Sequence, residues 1–125
     1  MLIASLNYMS NLLQSIGIPY AYMRWKGEQP EDFYSVGEYI EAPSMTLKEN
    51  GYQESTFILR LFTRKDWLIL EQAKEKIEKN ISKTAILDDG TGIAVFYESA
   101  TVVPTATADL KSIKINLTIQ EWKVN

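Results

Sequence analysis

The sequence predicts an α+β fold, an antiparallel or mixed β-sheet with two α-helices, at about residues 2–16 and 64–80, packed on it. Three observations carry that expectation. Leu2, Leu6, Met9, Leu13 and Ile16 recur at steps of four, three, four and three residues, which is the apolar stripe of an amphipathic helix. Leu70, Ala73, Ile77 and Ile81 repeat the pattern behind a capping sequence. Ile113, Ile115, Leu117 and Ile119 alternate with Lys114, Asn116 and Thr118, the period of a strand with one buried face. Two helices among several strands cannot supply the repeated crossovers of a parallel sheet, so antiparallel or mixed pairing is expected.

The elements follow in order. Gly17 offers the first helix a C-terminal cap, and Pro19 prevents its continuation. Residues 20–26 read as an aromatic strand, with Tyr20, Tyr22 and Arg24 on one face and Ala21, Met23 and Trp25 on the other. Residues 27–32, with Pro30 and three acids, form a polar loop. Residues 36–41 make a second strand, in which Gly37 marks a bulge or a close backbone approach. Residues 45–48 and 55–62 flank Asn50-Gly51, a pair suited to the positive φ angles of a tight hairpin.

Thr63-Arg64-Lys65-Asp66 fits a capping box for the second helix, assisted by Trp67, with Glu75 and Lys79 as a favourable pair on its solvated face. Residues 83–87 and 93–98 flank Asp88-Asp89-Gly90-Thr91-Gly92 as another hairpin, and residues 101–103 form a short strand. A loop of small residues, 104–109, precedes the long strand that ends near Trp122.

Composition narrows the function. The 125 residues fit one domain, 1–125, large enough to bury about two-thirds of its unfolded surface. Hydrophobic residues are 46% and charged residues 23%, so a packed core is expected. The chain contains neither cysteine nor histidine, which excludes disulfides, thiolate or imidazole metal ligands and every Ser-His or Cys-His nucleophile pair. A net charge of −3 with scattered Lys and Arg argues against nucleic-acid binding. No apolar run approaches the roughly 18 residues of a membrane span.

The remaining candidate sites are weak. Asp88-Asp89-Gly90-Thr91-Gly92 lacks the alternating oxygens of a calcium loop, so a plain turn is expected. The same five residues lack the lysine of a phosphate loop. Glu38 and Glu41, three apart on a strand, face opposite sides and do not form a glycosidase pair. No catalytic, cofactor-binding or metal residue is assigned, and no cofactor is expected. The strands at 20–26 and 57–62 carry bulk on both faces. Either one helix covers each face, or both helices share one face and the other meets a partner subunit.

Several features in order resemble the tail terminator proteins (tail completion or tail-to-head joining proteins) of long-tailed bacteriophages and prophages. They are the short first helix, Ile18-Pro19-Tyr20 leading into an aromatic strand, Val36-Gly37-Glu38-Tyr39-Ile40-Glu41, the Asn50-Gly51 hairpin, Leu70 with Lys74-Glu75-Lys76-Ile77, and the closing strand to Trp122. The resemblance spans nearly the whole chain and is sharpest at Gly37-Glu38-Tyr39.

It implies a non-enzymatic α+β protein forming a homo-oligomeric ring, typically a hexamer, on the tail tube. The ring would stop tube polymerisation and join tail to head. Implied partners are the tail tube protein and a head-neck connector, with DNA only as cargo through the lumen. The implied location is the virion tail-head junction, and the host cytoplasm during assembly. On this reading Tyr20, Tyr22, Trp25, Gly37, Glu38, Tyr39 and Glu41 are candidates for the subunit interface. Asp88, Asp89, Gly90, Thr105 and Asp109 are candidates for tube or neck contacts. A head-side connector, or a small cellular α+β module that binds another protein, is the alternative.

Overall fold

The computed structural model describes residues 1–41 and 52–123. These residues form eight elements, α1 (Ile3–Ser15), β1 (Tyr20–Tyr22), β2 (Tyr34–Glu41), β3 (Tyr52–Thr63), α2 (Trp67–Asn80), β4 (Thr84–Ile86), β5 (Thr91–Val103) and β6 (Lys111–Lys123). The strands form one curled mixed sheet in the order β1-β2-β3-β6-β5-β4. Among the described residues only β1 and β2 pair parallel, and the other four pairings are antiparallel. The α+β expectation therefore holds in its mixed form.

The alternating residues of β6 set the layer structure. Ile113, Ile115, Leu117 and Ile119 are all buried, facing the same side as Phe57, Leu59 and Leu61 of β3. Met9, Leu12 and Leu13 of α1 join this cluster, as do Leu70, Ala73 and Ile77 of α2 and Ile81 just beyond it. Both of these helices thus lie on one face of the sheet, and among the described residues the opposite face carries no helix.

Each helix end has a local cause. Gly17 adopts φ +83°, its N–H donates to Gln14 O, and the Ile18 N–H reaches back to Leu13 O at 3.0 Å. Those two bonds are a Schellman cap, and the buried Ile18 supplies its hydrophobic contact. At the other end Leu2 offers α1 no side-chain cap. The carboxylate of Glu121, 4% exposed, accepts instead from the Leu2 N–H at 2.9 Å and from the Ser5 hydroxyl. A strand residue thereby satisfies an orphan amide and places negative charge at the helix's positive end.

Several expectations need correction. Helix α2 starts at Trp67, three residues later than expected, with Asp66 as its N-cap accepting from the Leu68 N–H at 3.2 Å. Thr63 stays in β3, paired with Lys111. Its hydroxyl donates to Asp32 O at 2.6 Å and accepts from the Lys65 N–H. Thr63 is therefore not the capping residue. On the solvated face, Lys74 pairs with Glu71 at 2.9 Å, three residues away. That hydrogen bond raises the Lys74 ammonium above its ordinary value.

The strand expected over 20–26 is only Tyr20–Tyr22. Met23 takes φ +70°, a left-handed conformation, and donates its N–H to Gly37 O at 2.8 Å. That turn ends the alternation, so Arg24 and Trp25 lie off the strand. In β5, the segments expected as two strands are one. A register irregularity between Tyr97 and Ser99 leaves Glu98 as an extra residue, a β-bulge. Residues 45–48 and Asn50-Gly51 lie outside the described residues, while β2 pairs antiparallel with β3 from Tyr34↔Phe62 to Glu41↔Ser55.

Gly37 keeps unbroken register, so it marks a close approach and no bulge. A Cβ there would sit 2.7 Å from Phe57 Cζ and from the Tyr20 ring, whose centroids are 6.3 Å apart. Gly92 plays the same part on the opposite face, where a Cβ would meet the Trp122 indole at 2.1 Å.

Two stability outcomes follow. Gly37→Ala must push two packed rings apart, an overpacking cost of about 1–3 kcal/mol, measured as a lowered urea midpoint at unchanged slope. Glu121→Ala strips the Leu2 N–H and the Ser5 hydroxyl of their acceptor, with an expected loss of about 1–3 kcal/mol. Combining it with Ser5→Ala should cost less than the two single losses added, because they share one interaction.

Candidate subunit-contact surface

The face without helices is built by residues that alternate with the core positions. Its character changes along the strands. At one corner Trp25 packs on Tyr34 (centroids 5.6 Å) and Tyr34 stacks on Phe62 (5.2 Å). The Trp25 indole N–H donates to Glu28 O at 3.0 Å, which pins the loop after β1 over the sheet. Next comes a polar ladder. Arg60 of β3 ion-pairs with Glu38 of β2, and Asn116 of β6 donates to the Ser99 hydroxyl at 3.1 Å. Gln120 donates to Glu54 at 3.3 Å. At the far end Trp122 lies across Gly92. The face is amphipathic, with Ile40 63% and Phe96 42% exposed as isolated apolar groups on it.

The candidate interface residues divide into four groups. Tyr20 is buried, and Gly37 is buried beneath Tyr20 and Phe57, so both belong inside the subunit. Burial, together with the neighbouring Tyr22, raises the Tyr20 phenol above its ordinary value. Tyr22 and Tyr39 stack on each other on the helix side of the sheet edge, with centroids 6.4 Å apart. Trp25 and Glu38 lie on the helix-free face. Glu41 ends β2, contacts the Met1 amino group and is exposed. Glu38 and Glu41 sit on opposite faces, each with its own cationic partner, so the two carboxylates do not converge.

The two candidate contact loops are at opposite ends of β5. Asp88, Asp89 and Gly90 form the turn before it, where the Asp89 carboxylate accepts from the Thr91 N–H at 2.9 Å. That bond lowers the Asp89 carboxyl below its ordinary value. Gly90 supplies the positive φ of +86° that the turn needs. Thr105 and Asp109 lie in the loop after β5. The Thr105 hydroxyl bonds Leu110 O at 2.6 Å, and Asp109 takes a two-pronged contact from Arg64 at 3.1 Å.

Sequence reasoning missed Glu121, although a signal existed. It continues the odd-numbered series of β6, so the period alone places a carboxylate in the buried row. It also missed the pairing of Arg60 with Glu38, since nothing local links two charges 22 residues apart.

Among the described residues no group of three or more acidic side chains gathers to hold a metal ion, and no helix is long and apolar enough to cross a membrane. No family model matches the chain, and no curated protein matches it.

Proposed function

We propose that the chain is a non-enzymatic structural protein of a long-tailed bacteriophage or prophage. It forms a ring on the end of the tail tube, stops polymerisation of the tube protein and joins the tail to the head. It acts at the virion tail-head junction after assembling in the host cytoplasm.

The observation that carries this reading is the separation of its two polar loops by the length of one strand. The thirteen residues of β5 span about 40 Å at ~3.3 Å per residue, with Asp88-Asp89-Gly90 at one end and Thr105 and Asp109 at the other. A joining ring needs two docking ends of that kind, one for the tube and one for a head-neck connector. The amphipathic helix-free face and the exposed Tyr22, Ile40 and Glu41 at the sheet edge supply lateral contact surface. The net charge of −3 suits a lumen through which DNA passes without sticking.

The test adds the purified chain to polymerising tail tube protein and images the tubes by electron microscopy. Rings on one tube end and arrested elongation are the expected result. Asp88→Lys with Asp89→Lys should abolish one attachment, to tube or to neck, and leave the other intact. Tubes that elongate unchanged with no ring bound would remove the proposal.

A further inference from the structure

The sheet ends in steps at two diagonal corners. On one side β4 pairs with β5 only from Gly92 to Ala94, and the Lys83 carbonyl and Ser82 hydroxyl extend that cover to the Val95 and Tyr97 N–H groups. Beyond Tyr97 the outer edge of β5 has no backbone partner among the described residues. On the other side β1 pairs with β2 only from Ser35 to Gly37, and Met23 closes the last bond to Gly37 O. Beyond Gly37 the outer edge of β2 has no backbone partner among the described residues either.

Alternation identifies the outward-pointing groups. Thr91 O, Val95 N–H and Tyr97 N–H point outwards on β5, and the extra residue at Glu98 shifts the parity, so Ala100 and Val102 point outwards next. On β2 the Ser35 N–H and Gly37 O point outwards, so Tyr39 and Glu41 follow. Each corner thus presents two residues whose N–H and C=O groups have no backbone partner among the described residues.

We infer that these two edges are the halves of one head-to-tail joint, in which β2 of a second copy of this chain pairs antiparallel with the open end of β5. The strand directions match. Three successive antiparallel pairings separate β2 from β5, so a copy continuing the same sheet brings β2 in antiparallel.

The outlines match as well. In the register of β6, Tyr39 and Glu41 lie level with Leu117 and Ile119, whereas Ala100 and Val102 lie level with Ile115 and Ile113. A slide of four residues, about 14 Å, sets Tyr39 opposite Val102 and Glu41 opposite Ala100. The short β1 of the copy then falls beyond Val103, clear of the pairing.

Apolar side chains stand on the helix side of both corners. Trp67 and Val102, 38% and 57% exposed, line a groove with Pro104 and Leu110. Leu2 lines a cavity with Glu41, and Leu2 and Ile3 are 46% and 78% exposed. Open strand edges next to exposed apolar groups invite strand addition. A joint between two different patches of one chain is heterologous and closes into a ring when the rotation allows. A stagger between neighbours tilts the strands to the ring axis, the condition under which sheets close into barrels.

The joint takes only lateral self-association from the proposed function. Its test uses Val102→Pro and Glu41→Pro, each of which removes an outward N–H and no bond within the sheet. Light scattering should find the wild-type chain oligomeric and each variant monomeric. An equimolar mixture should stop at dimers, because each variant keeps the edge that the other lacks. Unchanged far-ultraviolet circular dichroism and urea midpoints establish folding of the variants.

The Ala100 amide should exchange more slowly in the wild-type oligomer than in monomeric Glu41→Pro, by on the order of tenfold or more. A monomeric wild type, folded variants of wild-type size, or a mixture that stays monomeric would each overturn the joint. Oligomers with the expected variant pattern that ignore tail tube protein would keep the joint and remove the tail-end role. Proline variants that still cap tubes as complete rings would do the reverse.

Discussion

Burial of the odd-numbered side chains of β6 is the constraint on which the other elements depend. The strand pairs along its whole length with both β3 and β5, so its polar backbone is satisfied on two sides. Its apolar row then has one direction left in which to be covered. Both helices answer that demand from the same side, and their stripes are legible as faces only because this row exists. Glu121, at the end of the same row, turns the constraint into an attachment by reaching the first turn of α1. The sheet and the first helix are therefore held by packing at one end of the row and by a charge-assisted bond at the other.

With the helices committed to one side, the other side had to solve its exposure with side chains. The chain does so by pairing. Arg60 with Glu38, Asn116 with Ser99 and Gln120 with Glu54 bridge strands across the helix-free face. Aromatic rings close its corners, and Gly92 lets the Trp122 ring lie flat on the backbone at one of them. The result is a surface polar enough to meet water and apolar enough at points such as Ile40 and Phe96 to meet protein.

Much of the architecture was legible because it rests on local periodicity. The stripe of α2, the Gly17 cap and the alternation of β6 each follow from spacing within one element. The elements that misled share a different cause. Residues 20–26 have strand composition, but tertiary bonds from Met23 to Gly37 O override it after three residues. Residues 91–103 look like two strands because the bulge at Glu98 swaps which parity faces the core. Thr63 looks like a cap, yet its pairing with Lys111 keeps it in the sheet. Of the candidate surface, Trp25 and Glu38 lie on the helix-free face, whereas burial of Tyr20 and Gly37 depends on Phe57, twenty residues beyond Gly37 in the chain. Long-range neighbours of that kind leave no trace in a local pattern.

The position of β6 also governs the order in which the fold can form. It is the last of the eight elements formed by the described residues, yet it inserts between β3 and β5 in the middle of the sheet. During synthesis, β3 and β5 must wait with unpaired edges and uncovered apolar rows until residues 111–123 emerge. Neither half of the sheet is complete in the meantime, since β1-β2-β3 and β4-β5 meet only through this strand. Closure is consequently a late, non-local event, with the slow folding and the aggregation exposure that such topologies carry. A nascent chain stalled before Lys111 would lack the strand that joins the two halves of the sheet.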